Sequence, residues 1–181
     1  MTLTGSMELS ASGSVSNKMD LLDMDVQEMY FDKPLPEGVA GLISDAADAY
    51  GEPEAEALLQ KALKVAPEHP MVHVALYRYY FYQHRFAEAL AMADKTITDC
   101  AAELGYSGAW EAVTLAALQA SEVTMTRVRY YLMALKGAGL ICLRMGRWEE
   151  GESRLKKVAE LDAEDRLGAS AILQVVDGWD R

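Results

Sequence analysis

From position 39 onward, apolar residues recur three and four positions apart in segment after segment, and no run alternates with the period of two of a half-buried strand. The spacing predicts helices over 39–50, 54–65, 70–83, 86–104, 109–120, 123–145, 148–161 and 165–176. Breaks fall at Gly51 with Pro53, at Pro67 with Pro70, at Gly105 and at Gly146. Glycine accepts the left-handed stop of a helix, and proline is pre-set for a first turn. Connections this short fold successive helices back on each other as antiparallel neighbours. In the last segment Leu167, Ala171, Ile172 and Val175 share a stripe, which predicts a terminal helix covering the edge of the core. The opening segment, 1–18, is rich in Ser, Thr and Gly and offers little to bury. Residues 19–38 become acidic and apolar and carry Pro34 and Pro36, which block a continuing helix. The chain therefore divides into a flexible acidic arm and linker over 1–37 and a helical domain over 38–181.

Within the helical part three segments superpose: PEAEALLQKALKVAPEHP (53–70), RFAEALAMADKTITDCAAE (85–103) and RWEEGESRLKKVAELDAED (147–165). Ala55, Ala89 and Gly151 share a small-residue position. One turn later come Leu59, Ala93 and Leu155, and then Ala62, Thr96 and Val158. The step from Ala55 to Ala89 matches the period of about 34 residues of a helix–turn–helix unit that cannot bury its apolar face alone. The preceding helices align too, with Leu76, Tyr77 and Tyr80 opposite Ala138, Gly139 and Cys142, and each run meets an aromatic, Phe86 or Trp148, at its turn. Over roughly residues 39–165 this pattern resembles the tetratricopeptide repeat family. Departures are present: His84 replaces a turn glycine, Ala101 and Ala163 stand where proline ends a unit, and Val39, His73 and Leu135 occupy the tryptophan position. The step from Ala89 to Gly151 covers one period and most of a second without a recognisable unit between them, so a helical insertion is expected across 104–134.

The resemblance implies an all-α fold: a TPR-like α-α superhelix of antiparallel helix pairs, with about three repeats, an inserted helix and a C-terminal capping helix. It also implies a non-catalytic protein–protein interaction module, an adaptor, assembly factor or scaffold. In this family the first helix of each pair lines a concave face that accepts a peptide. Carried onto this chain, that face holds Met71, Val74, Arg78, Phe81 and Tyr82 in the second unit and Met133, Lys136, Leu140, Leu143 and Arg144 in the third. Each set steps by three and four and so forms one stripe. The partner-binding candidates are Arg78, Phe81, Tyr82, Lys136, Leu140 and Arg144, cations beside aromatic and aliphatic groups, which suit an acidic and apolar segment. The competing account makes the same stripe core packing. Tyr77, Tyr79, Tyr80, Phe81 and Tyr82 wrap most of their helix, so only some of these rings face the interior. The family's chaperone-carboxylate clamp is not expected, because Ala40, Ser44, Val74 and Leu140 stand at its positions. Small acidic tetratricopeptide chaperones of the type III secretion class, which guard a hydrophobic client, are similar in size and charge. The insertion counts against that alternative.

Charge narrows the partners. With 17 basic and 28 acidic residues the net charge is −11, which repels phosphate backbones and anionic lipid, so neither nucleic acid nor membrane is an expected partner. Residues 130–143 form the most apolar later run, yet it contains Lys136 and meets Arg144 well short of the ~20 apolar residues of a membrane span. No secretory leader pattern is present at the start, and Cys100 and Cys142 read as small buried hydrophobes, so a cytoplasmic location is expected. His69 and His73 flank Pro70 without a third ligand, and no phosphate-cradling loop, HExxH or GxSxG occurs. No cofactor, metal or catalysis is expected. The arm around Leu21, Leu22, Asp23, Met24, Asp25, Val26, Met29, Tyr30 and Phe31 has the character the stripe prefers. Docking of the arm, within the chain or in a homodimer mate, competes with a cap packed on the first repeat, which the residues favour.

Overall fold

Helix caps and left-handed stops divide the chain much as its periodicity predicts. The computed structural model describes residues 34–106, 109–120 and 123–178, so that of the predicted arm and linker over 1–37 residues 1–33 lie outside the described residues. Those described form helices and turns with no strand. The elements are α1 (Val39–Asp48), α2 (Pro53–Val65), α3 (Pro70–Tyr82), α4 (Phe86–Glu103), one 3₁₀ turn (Trp110–Ala112), α5 (Leu115–Ala120), α6 (Met125–Arg144), α7 (Trp148–Leu161) and α8 (Ala169–Asp177). Pro53 and Pro70 occupy first turns, where the missing N–H costs nothing. His69 caps α3 by accepting from Met71 N at 3.3 Å, and Thr124 caps α6 by accepting from Arg127 N at 3.3 Å.

Three helix ends close in the same way. Arg85 N donates to Tyr80 O at 2.9 Å, Tyr106 N to Ala101 O at 2.8 Å, and Arg147 N to Cys142 O at 2.8 Å. The residue before each donor is left-handed: His84 at φ 57°, Gly105 at 82° and Gly146 at 74°. His84 thus does take the place of a turn glycine.

Helices pack chiefly on their chain neighbours. α1 lies on α2, α3 on α4, α6 on α7 and α8 on α7, while α2 meets α3 and α4 meets α6 across the joints. The positions that align across the three superposed segments are all buried: Ala55, Leu59 and Ala62 in α2, Ala89, Ala93 and Thr96 in α4, and Gly151, Leu155 and Val158 in α7. A fully buried leucine or valine contributes about 1.5–3 kcal/mol, so Leu59, Leu155 and Val158 supply most of the burial energy at these positions, and the smaller residues let the helices approach. At the α6–α7 crossing the backbones nearly touch. A Cβ on Gly151 would lie 2.9 Å from Gly139 O and 2.8 Å from Leu143 Cγ.

Two expectations are corrected. The predicted helix over 109–120 is instead a 3₁₀ turn, an extended Val113 and the short α5, because burying Val113 completely at ψ 129° interrupts the helix. The final helix starts at Ala169 rather than 165. Asp162 Oδ2 accepts from Leu167 N at 2.8 Å and Asp165 Oδ1 from Ser170 N at 3.1 Å, which holds the preceding residues in turns. Its buried residues are Ala169 and Val176; of the predicted stripe Leu167 packs on the core and Ile172 is half-buried, whereas Ala171 is exposed and Val175 is 57% exposed.

Candidate binding surface

The solvent side of α3 is built from rings that the core does not absorb. Tyr79 and Tyr80 are buried, Tyr77 and Phe81 are half-buried, and Tyr82 is 43% exposed. Tyr80 is committed to the interior: its hydroxyl accepts from Gln60 Nε2 at 2.8 Å and donates to Glu56 Oε1 at 3.2 Å, and the Arg85 guanidinium lies 4.6 Å from its ring centre. The remaining rings make a ridge. Tyr77 stacks on Phe81 at 6.1 Å, and Phe81 meets Tyr82 and Phe86 edge-on at 5.6 and 5.7 Å.

Tyr77 also reaches α6. A Cβ on Gly137 would stand 2.7 Å from the Tyr77 hydroxyl oxygen, so the glycine is what lets the ring lie against that helix. Burial pushes the Tyr77 phenol up to about 12. The helices that carry the two predicted stripes, α3 and α6, therefore meet through this ring, although neither Tyr77 nor Gly137 belongs to a stripe. On α6, Leu140 is half-buried, Arg144 is exposed and Met133 is 39% exposed.

The arginines of the described residues divide into two kinds. Arg85, Arg127, Arg147, Arg154 and Arg166 each hold a carboxylate. Arg78, Arg129 and Arg144 form no ion pair with another described residue, and of these Arg129 belongs to a separate groove. Lys136 donates to the Leu167 carbonyl at 2.5 Å and ties α6 to the turn before α8, so its ammonium is engaged within the fold. Met71 is buried at 7% exposure and is not part of the surface, contrary to its position in the predicted stripe. Leu143 packs on Gly151 at the α6–α7 crossing rather than lining the same face as Arg144.

Two features were not anticipated from the sequence. A groove of about 520 Å³ opens between α5, the first half of α6 and the α7–α8 turn. Its apolar wall is Leu115, Leu118, Met125, Val128, Leu132, Leu161 and Leu167, with Arg129, Asp162, Glu164 and Arg166 at the rim. The second is Arg154, 5% exposed, which binds Asp94 Oδ1 at 2.6 Å on α4 and Glu150 Oε1 at 2.9 Å on its own helix. Its guanidinium also lies 5.5 Å from the Trp110 ring centre, which pins the 3₁₀ turn. Burial opposes the Arg154 charge, but the hydrogen bond and charge of Asp94, with Glu150, hold its pKa above the ordinary arginine value. Both features arise from segments distant in sequence, and no local pattern announces them.

The ionisable groups of the interior are structural. His73 Nε2 donates to Pro67 O at 2.6 Å, and burial lowers its pKa and keeps the ring neutral. Cys100 and Cys142 are buried, and burial pushes their thiols up to about 12 and about 11, which disfavours the reactive thiolate. No group of three or more potential metal ligands occurs among the described residues. Among them no helix is long and apolar enough to cross a membrane.

Comparison with known proteins gives one informative relative. No family model matches the chain, and no solved structure matches it. The chain is 41% identical over 159 residues to the "Uncharacterized 19.8 kDa protein in nifW 5'region" of Azotobacter chroococcum mcd 1, covering 87% of this chain and 89% of that one. The chain belongs to one family with this Azotobacter protein.

Proposed function

We propose that this member of the family shared with the Azotobacter chroococcum protein is a tetratricopeptide-repeat-type binding module whose α3–α6 face takes an acidic, apolar polypeptide segment. The observation that carries the reading is the pair Arg78 and Arg144, two cations without a carboxylate among the described residues, on the two helices that carry Phe81, Tyr82 and Leu140 and that meet where Tyr77 lies against Gly137, in a chain of net charge −11. In a protein with this excess of carboxylates, cations left unpaired at a half-exposed aromatic ridge gain most from an anionic guest. Phe81, Tyr82 and Leu140 supply the area that excludes water, and the arginines supply register. The stacking of chain-neighbouring helices, with small residues buried at aligned crossings, supports the repeat reading. Lys136 serves the fold in this scheme, through Leu167, and not the guest.

The test is selection of displayed short peptides on the intact protein, with counter-selection on Arg78→Glu with Arg144→Glu. Enrichment of acidic, apolar sequences that do not bind the double variant is expected, with thermal melting of the two proteins alike. Enrichment that survives the double substitution, or no enrichment at all, overturns the assignment of this face.

A further inference from the structure

We infer that the first guest of the α3–α6 face is the chain's own segment 20–32, lying across the arginines and displaced when an external partner binds; this rests on the binding reading above. The segment carries Asp20, Asp23, Asp25, Glu28 and Asp32, no basic residue, and seven apolar side chains among them. That composition complements α3 and α6, whose at least partly exposed residues include Arg78, Phe81, Tyr82, Leu140 and Arg144. No other stretch of the chain combines this charge with three aromatic or methionine side chains in a row, Met29, Tyr30 and Phe31.

The described residues fix where the segment leaves the body. Leu35 packs against the core, Val39 N donates to Pro36 O at 3.1 Å, and Gly38 turns at φ 79° into α1. Packed helices stand about 8–10 Å apart, so α3, two helices on from α1, is within ~20 Å, and α6, two further steps on, is within ~40 Å. Thirteen extended residues reach ~43 Å. The segment is long enough to cross both stripe helices without moving the fold, and its linkage to α1 gives it an effective concentration that a free peptide lacks.

Two measurements on the full-length chain test this. A photoreactive p-benzoylphenylalanine at Tyr82, irradiated in dilute protein, is expected to join to residues 20–32 in a product of monomer mass. Absence of that linkage overturns the inference, and a product of dimer mass overturns its intramolecular form in favour of a second copy's segment. In parallel, a fluorescent peptide of sequence 20–32 is titrated against the wild-type chain and against a chain with the five acids changed to Asn or Gln. If the segment covers the face about nine-tenths of the time, the neutralised chain binds the peptide about tenfold more tightly. Arg78→Glu with Arg144→Glu in that background should remove the binding. Equal affinity for both chains, still lost with the two arginines, overturns self-occupancy while leaving the binding face standing. No binding to the neutralised chain overturns the inference alone when the displayed-peptide selection succeeds, and removes the face as well when that selection also fails.

Discussion

The α3–α4 and α6–α7 hairpins follow one plan, repeated further along the chain, and fill it with opposite materials. Arg85 and Arg147 close equivalent turns, Arg85 pairs with Glu88 as Arg147 pairs with Glu150, and Ala89 and Gly151 sit at equivalent crossings. Yet α3 is wrapped in the rings of Tyr77, Tyr79, Tyr80, Phe81 and Tyr82, whereas α6 offers Gly137, Ala138 and Gly139. One hairpin brings bulk and the other brings room. Tyr77 of the first occupies the space left by Gly137 of the second, and Gly139 lets α7 approach until backbone meets backbone. The contrast shows how a degenerate repeat keeps its register: side-chain volume moves from one unit to its neighbour while the turn geometry stays the same.

The sharpest way to break the contrast is to give α7 the bulk it excludes. Gly151→Leu should cost more than about 3 kcal/mol, because even the first added carbon meets the Gly139 carbonyl and Leu143, and backbone cannot yield as a side chain can. Ala89→Gly at the equivalent crossing should cost only about 1 kcal/mol of helix propensity. Urea denaturation of both variants gives the comparison, and near-equal losses would show that the two crossings are alike after all.

Next in size is Arg154, whose equivalent on α4 is Met92, a half-buried thioether without charge. Arg154→Ala should cost about 2–3 kcal/mol through lost packing on Trp110 and two abandoned carboxylates. Arg154→Met, which copies the other hairpin, should lose less than half of that. The partly exposed Asp94 and Glu150 can then turn to water.

The same pair sharpens the comparison through pH. At Glu150 burial raises the pKa, but the hydrogen bond from Arg154 and the charges of Arg154 and Arg147 outweigh it and hold the carboxyl below its ordinary value of 4.5. Glu56 is likewise held low, first by its hydrogen bond from Arg85. A depressed carboxyl contributes stability that is complete above the unfolded pKa and is lost as pH falls through the folded one. Melting temperature should therefore drop as pH is taken below about 4.5, and the drop should be shallower in Arg154→Met. An acid limb unchanged by that substitution would remove Glu150 from the account.

Smaller effects probe the shared ring and the shared turn. Gly137→Ala should cost about 1 kcal/mol, since the obstructing atom is the far end of Tyr77, and Tyr77→Phe should recover most of it in a double-mutant cycle. His84→Gly should stabilise by about 0.5–1 kcal/mol by removing a Cβ from a left-handed position, while Gly146→Ala should destabilise by a similar amount. Opposite signs at equivalent turns are the expected outcome in thermal melts.

Much of this architecture could be read along the chain. The stops at Gly51, Gly105 and Gly146 and the start at Pro70 are local chemistry, and so are the aligned positions from Ala55 to Val158, all of them buried as the periodicity requires. The proposed face was legible only in outline. Arg78, Tyr82 and Arg144 are at least partly exposed on their helices as expected, but Met71 is buried, Lys136 is held by Leu167 and Leu143 belongs to a crossing. A helical stripe tells which residues lie together and not which neighbour will cover them.

Sequence by itself determined most of the helices, their glycine and proline stops and the recurring small positions, because those depend on backbone conformation and on residues within a turn or two. Tertiary structure alone decided that Tyr77 lies over Gly137, that Arg154 gathers Asp94 and Trp110, and that Arg78 and Arg144 are left without an ion pair among the described residues. Each of those results depends on how volume and charge from distant segments meet in space, and no local period encodes that meeting.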